Sequence, residues 1–240
     1  MSNLSFSFSL FGKHYFFTPK FTLATLVLLI VLLLLGVWQW KSAETMDKTI
    51  ELINQRIAMD PISTDDLDKN GDLRYYHIQL QGSFDDQHQI LIINRMYKNQ
   101  QGFQVLTPFK LTDSSKEILV NRGWIAGDPS EKIPDFEDTP NGVTITGVLL
   151  QIPQSGAGFS KISWPLISKS IDIQKISQAL GSPLYPYMVL LSPNSQYGYV
   201  RDWPWLTSIE PSRQKAYAKQ WFALALTVFL VFIYLNVHRR

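Results

Sequence analysis

The sequence predicts an α+β membrane protein. Two transmembrane helices flank one extracytoplasmic domain, an antiparallel β-barrel or sandwich-like fold with short helices at its side. Three observations carry that expectation. Phe21 to Trp40 contains no charged residue and stands between Lys20 and Lys41; as a helix it reaches about 30 Å, the thickness of a bilayer's hydrocarbon core. A second apolar run, Trp221 to Val237, brings the chain back before Arg239 and Arg240. Between the runs, short stretches of alternating apolar residues are separated by turn residues, the pattern of strands.

The expected organisation is a cytoplasmic N-terminus (1–20), a first span (21–40), the extracytoplasmic domain (41–220), a second span (221–237) and a cytoplasmic C-terminus (238–240). Residues 1–20 hold Lys13 and Lys20 and no acid, and every Asp and Glu lies between the two spans. The positive-inside rule then places both ends in the cytoplasm. For a bacterium the location is the inner membrane, with the central domain periplasmic. Lys41, Lys48, Lys215 and Lys219 run against that rule at the outer ends of the spans. A cleaved signal peptide is disfavoured: the apolar core is too long, and Trp38-Gln39-Trp40 stands where small residues would prepare a cleavage site. A net charge of +2 and the lack of a basic aromatic stripe speak against nucleic acid. The absence of cysteine excludes disulfides, thiol catalysis and thiolate metal sites.

In chain order, Lys41 to Met59 continues the first helix with Met46, Ile50, Ile53 and Ile57 on one stripe, and Pro61 ends it. Asp66 to Asp72 has the D-x-D-x-N-G form of a calcium loop, but His77 occupies the twelfth position where a glutamate is needed, so it reads as a solvated turn. Arg74–Gly82 and Gln87–Asn94 read as a hairpin across Ser83-Phe84-Asp85-Asp86. In that register His77 and His88 stand about 13 Å apart, too far to share a metal ion, and none is expected. Phe103–Leu111 and Glu117–Ile125 form the next pair of strands around Thr112-Asp113-Ser114-Ser115. The second turns abruptly polar at Asn121-Arg122-Gly123, where a strand bends or meets another backbone. Arg122 there either binds a ligand anion or pairs with an acidic loop.

Beyond Trp124, Gly127–Pro140 is a loop, and Asn141-Gly142 turns into a strand over Val143–Gln151. Ser155-Gly156-Ala157-Gly158 lacks the Gly-Lys-Ser/Thr ending of a phosphate loop. Ile171–Leu180 is an amphipathic helix stopped by Gly181, and Tyr187–Leu191 is a last strand. Trp203 and Trp205, with Trp38, Trp40 and Trp221, suit an interfacial belt. Ser212 is placed to cap the final helix, which carries Gln214, Tyr217 and Trp221 on one face.

Several of these segments, taken together, resemble the surfeit locus protein 1 family. They are Gly36-Val37-Trp38-Gln39, Gly82-Ser83-Phe84-Asp85, Gly102 through Pro108, Leu119-Val120-Asn121-Arg122-Gly123-Trp124, and Tyr217-Ala218-Lys219-Gln220-Trp221-Phe222. The resemblance implies an assembly factor for haem–copper cytochrome c oxidase acting at the outer membrane face, in haem a delivery or insertion. Its partners would be oxidase subunits or other assembly factors. Trp38, Gln39, Gln214, Tyr217 and Trp221 would be the haem-proximal positions, and Arg122, Gly123 and Trp124 a partner or structural motif. Two positions depart from the family pattern: Ser42, with Lys41 beside it, replaces a basic residue, and Gln214 replaces a histidine. The alternative is a membrane-anchored periplasmic ligand-binding or scaffold protein without haem contact. An enzyme is not expected, because the sequence has no nucleophile elbow and no His-Glu-x-x-His motif, and only His77 and His88 lie inside the domain. A signal-transducing sensor would need more cytoplasmic chain than the two ends are expected to supply.

Overall fold

The computed structural model describes residues 6–10, 13–69, 71–128, 136, 138–152, 159, 162–203 and 211–237. The chain divides into two compact units, Met1–Glu51 with Thr207–Arg240, and Leu52–Leu206.

The first unit begins with an antiparallel hairpin, β1 (Phe6–Leu10) and β2 (Lys13–Phe17), which the sequence reading did not anticipate. A single helix, α1 (Pro19–Ile57, 39 residues), follows. It crosses the expected boundary at Trp40 without interruption, is about 58 Å long, and stops before Pro61 is reached. The other long helix of this unit is α3 (Pro211–Val237, 27 residues). It starts at Pro211, so Ser212 is not its cap as expected but lies one residue inside; proline suits a first helical position, where its missing N–H is not needed. The two helices run antiparallel: the Phe21 and Phe232 rings stack with centroids 5.8 Å apart, and Lys215 Nζ lies 2.6 Å from Asp47 Oδ2 at the other end. Both are long and apolar enough to cross a membrane. Their apolar side chains point outward, Leu34 being 63% and Leu226 58% exposed. The buried positions include Leu32, Gly36 and Ala43 on α1 and Ala218, Ala225 and Asn236 on α3, and most are small. Gly36 permits a close approach, since a Cβ there would stand 2.6 Å from the Phe222 ring. Small residues serve helix pairing in this way where no hydrophobic drive exists between helices.

The second unit is a closed five-stranded barrel. Its strands are β3 (His77–Phe84), β5 (Gln100–Leu111), β6 (Glu117–Ala126), β7 (Val143–Gln151) and β9 (Leu184–Leu191). They neighbour one another in the order β3-β7-β9-β6-β5, and pairing of β5 back onto β3 closes the ring. Strands β4 (Ile90–Tyr97) and β8 (Leu166–Ser168) extend the sheet beyond β5. One face of each barrel strand points inward and builds the main core, with Leu80, Phe109, Ile118, Ile145, Tyr185 and Val189 among its members. A second core under α2 (Ile173–Leu180) gathers Ile90, Ile92, Leu106, Leu119, Leu166 and Ile176. Helix α2 is set by its ends, as its sequence suggested: Asp172 accepts from the Lys175 N–H, and Gly181 closes it in the left-handed conformation.

Two expectations need correction. The sheet is not purely antiparallel, because β6 pairs with β9 and β4 with β8 in parallel. Nor do β3 and β4 form a hairpin: β3 lies between β7 and β5, and His77 faces Val148. The short connection Asp85–Gln89 instead carries the chain along one edge of β5, from Leu111–Phe109, which pair with β3, to the stretch Leu106–Gln100, which pairs with β4. Adjacency in sequence suggested a pairing that closure of the ring overrides.

Candidate functional site

The polar break in β6 is a β-bulge. Val105 pairs with Gly123 and Leu106 with Asn121, so Arg122 is the extra residue; bulges of this kind re-aim a side chain. Arg122 is 3% exposed and turns into the protein. Its Nη1 donates to Asp86 Oδ1 at 2.7 Å and its Nε to the Tyr197 carbonyl at 2.7 Å. The guanidinium lies between the rings of Phe84, 4.6 Å away, and Tyr199, 5.3 Å away. The other oxygen of Asp86 accepts from both the N–H and the hydroxyl of Thr139. Of the two roles open to Arg122 in the sequence, pairing with an acidic loop is the one observed.

Gly123 follows with φ +112°, and a Cβ there would sit 2.5 Å from the Val200 carbonyl oxygen. Only glycine adopts this backbone without strain. The close approach is productive: the Trp124 and Val200 backbones exchange hydrogen bonds of 2.7 and 3.0 Å, and the Tyr199 N–H donates to the Arg122 carbonyl. The Trp124 indole donates to the Arg95 carbonyl at 2.9 Å and tilts against Tyr97. Arg122, Gly123 and Trp124 thus stitch the segment 197–200 onto the barrel wall. Nearby Arg201 donates to the Ser195 carbonyl at 2.6 Å; burial and the neighbouring charge of Arg122 pull its pKa below the ordinary arginine value. Asp86, Thr139, Tyr197 and Tyr199 were not singled out as partners in the sequence. The only signal was the acid pair Asp85-Asp86, which reads equally well as a solvated turn.

The acidic turn after Ser63 distributes its carboxylates to separate partners. Asp66 pairs with Lys69, Asp68 with Lys116 and the Tyr185 hydroxyl, and Asp72 with Arg74 and Arg56. The fork of Arg74 holds Asp72 well below the usual carboxylate range. Among the described residues no three His, Cys, Asp or Glu side chains converge on one point. His77 opens β3, whereas His88 sits in the β3–β4 connection with Nδ1 2.8 Å from Asp85 Oδ1 and its ring edge-on to Trp164. The segment Ser155 to Gly158 and Trp205 lie outside the described residues.

In the helical unit, a cavity of about 450 Å³ opens beside the point where α1 leaves its apolar run. Val37, Trp40, Lys41 and Glu44 of α1 and Phe222 of α3 line it. The five positions expected to be haem-proximal do not. Gln39, Gln214 and Trp221 are half-buried, while Trp38 is 62% and Tyr217 47% exposed. Haem iron is held by imidazole, thiolate, thioether or tyrosinate. Of these, the five positions supply only the outward-facing phenol of Tyr217, and Gln214 offers a weakly donating amide. By their donor chemistry these five positions do not fit an iron-ligating haem site.

Comparison with known proteins places these features together. The model of the SURF1 family matches residues 26–226, which takes in most of both long helices and the whole barrel. A SURF1-like protein of Rickettsia bellii is 25% identical over 206 residues, covering 75% of this chain and 84% of that protein. Surfeit locus protein 1 of Arabidopsis thaliana is 35% identical over 111 residues, 41% of this chain but only 31% of the plant protein. A protein of Saccharomyces cerevisiae named "Cytochrome oxidase assembly protein SHY1" is 27% identical over 97 residues, 38% of this chain and 24% of its own length.

Proposed function

The chain belongs to the SURF1 family, and from that premise we propose that it assists the assembly of a haem–copper cytochrome c oxidase. The observation that carries this reading is the extent of the family match, which runs from α1 through the barrel into α3. The name of the yeast relative supplies the process. We propose further that α1 and α3 anchor the chain in a bacterial inner membrane, that the barrel stands on the periplasmic side, and that oxidase subunits or other assembly factors meet it there. The reading is non-catalytic. The buried Arg122–Asp86 pair holds the barrel together, and a guanidinium bonded in this way suits a scaffold rather than a site that turns over substrate.

Deleting the gene is expected to lower active cytochrome c oxidase while leaving other respiratory complexes near normal. Normal oxidase activity, in a strain encoding no second family member, would overturn the reading. Reporter fusions at Ser114 and Arg240 test the orientation; activity of a cytoplasm-only reporter at Ser114 would reverse it. The poor donor set at the outer helix ends favours scaffolding without tight haem contact. The purified protein is therefore expected to show weak haem absorption or none, and Gln214→His to strengthen it. Strong low-spin bands in the unmodified protein would refute this.

A further inference from the structure

We infer that the cleft lined by Val37, Trp40, Lys41, Glu44 and Phe222 is a binding site for an anionic phospholipid. The inference rests on reading α1 and α3 as membrane spans. Its first support is the way the wall changes with depth. Val37, Trp40, Lys41 and Glu44 are spaced i, i+3, i+4, i+7 and so form one stripe of α1, rising about 10 Å along the axis. The lower part, with Phe222 opposite, is apolar, and the upper part carries charge. A third transmembrane helix would offer side chains of one polarity at each level and find ions at the top. A phospholipid has the matching sequence of parts, an acyl chain below and a phosphate above.

The second support is the pattern of ion pairs around the rim. Glu44 is engaged by Lys48 at 3.0 Å and Asp47 by Lys215 at 2.6 Å. Lys41 has no carboxylate partner among the described residues, so it is the cation left at the mouth of the cleft. Positive charge at the non-cytoplasmic end of a span is disfavoured by topology, and a lipid phosphate gives Lys41 a reason to be there. Basic pockets between transmembrane helices bind lipid headgroups in this way. The cleft's volume lies within the range of small-molecule sites. Gly36 sets its floor, because it lets the Phe222 ring approach α1 one residue below Val37.

The test uses the full chain purified in mild detergent, incubated with equimolar phosphatidylglycerol and phosphatidylcholine of identical acyl chains, and read by native mass spectrometry. Phosphatidylglycerol is expected to be retained about fivefold over phosphatidylcholine, the effect of one lysine beside a headgroup of net negative charge, since choline neutralises the phosphate of phosphatidylcholine. Lys41→Gln should bring the two lipids to parity, and Lys41→Arg should keep the preference. Val37→Trp fills the lower cleft and should reduce retention of both lipids. Equal retention by the unmodified chain, an unchanged preference in Lys41→Gln, or undiminished retention in Val37→Trp would each overturn the proposal. The premise is separable: release of the chain from membranes by alkaline carbonate would refute the spans themselves. Lipid parity in a chain that resists such extraction would refute only the site.

Discussion

The barrel and the helix pair are built from the same kinds of residue used in opposite directions. In the barrel, Leu, Ile, Val and Phe point inward, and many polar groups are tied to one another: Arg122 to Asp86, Asp85 to Lys110, Asp68 to Tyr185. In the helix pair, Leu, Val and Phe point outward, and the covered positions include Gly36, Ala43, Ala218 and Ala225. Water drives the first arrangement, since burying apolar surface is its main source of stability. The second suits a solvent that is itself apolar, as the proposed membrane anchoring supplies, where packing of small residues takes over. One consequence is that defects should register differently in the two regions.

The largest expected effect is in the barrel. Arg122→Ala leaves Asp86 buried without its cation, which should cost about 3–5 kcal/mol. Urea unfolding of the detergent-solubilised protein, followed by near-ultraviolet circular dichroism, reads this directly. A loss below about 1 kcal/mol would mean that the barrel tolerates an unpaired charge as the helix pair's surroundings never could. Gly123→Ala comes next, at about 2 kcal/mol by the same measurement, because the alanine must hold φ +112° against the Val200 carbonyl. The helix pair should respond more mildly. Gly36→Val presses on the Phe222 ring and should weaken helix association by about 1 kcal/mol. Because the chain has no cysteine, Asp47→Cys with Lys215→Cys gives a clean probe. Bis-maleimide cross-linking should be efficient with Gly36 and reduced with valine, while barrel unfolding stays unchanged. If both readouts shift, the two regions are less independent than their chemistry suggests.

The smallest effect is a pH dependence confined to the barrel. Burial works to raise the Asp85 carboxyl, but hydrogen bonds from Lys110 and His88 outweigh it and hold it below its ordinary value. A depressed pKa means that the folded state binds the proton less tightly than the unfolded chain. The stability so gained is present above about pH 4 and lost as the pH falls through the folded value. Unfolding free energies measured between pH 7 and 3 should decline in part through this group, and Asp85→Asn should remove that part of the slope. An unchanged slope in Asp85→Asn would assign the decline to other carboxylates.

The two regions also differ in how much of them could be read in advance. Elements with a strong local signal were legible. The β5–β6 hairpin has alternation and a polar turn, the Asn141-Gly142 turn opens β7 at Val143, and Gly181 stops α2. Long-range pairings were not. Nothing near β3 announces that its partners are β7 and β5, and the parallel β6–β9 contact joins segments far apart in sequence. The bulge at Arg122 was visible as a polar break, but its partners Asp86 and Tyr197 arrive from the β3–β4 connection and the segment after β9. In the helical unit the apolar runs were plain, yet the cleft was not, since it depends on which stripe of α1 faces Phe222. The alternation in Phe6-Ser7-Phe8-Ser9-Leu10 was a local strand signal, overlooked beside the much stronger helical run that follows.

The position of β9 has a bearing on how the chain can be made. It is the last of the barrel strands to be synthesised, yet it lies between β7 and β6. Until Leu184–Leu191 has emerged, the earlier barrel strands can form only an open ribbon in the order β7-β3-β5-β6, with β7 and β6 as bare edges. Both edges are rich in Ile, Val and Leu, and unpaired edges of that kind recruit other chains. Insertion of β9 seals the two edges in one step, parallel to β6 and antiparallel to β7. A nascent chain halted anywhere before Leu184 is thus an aggregation hazard, and a chain carried past Leu191 has no edge left open in its ring.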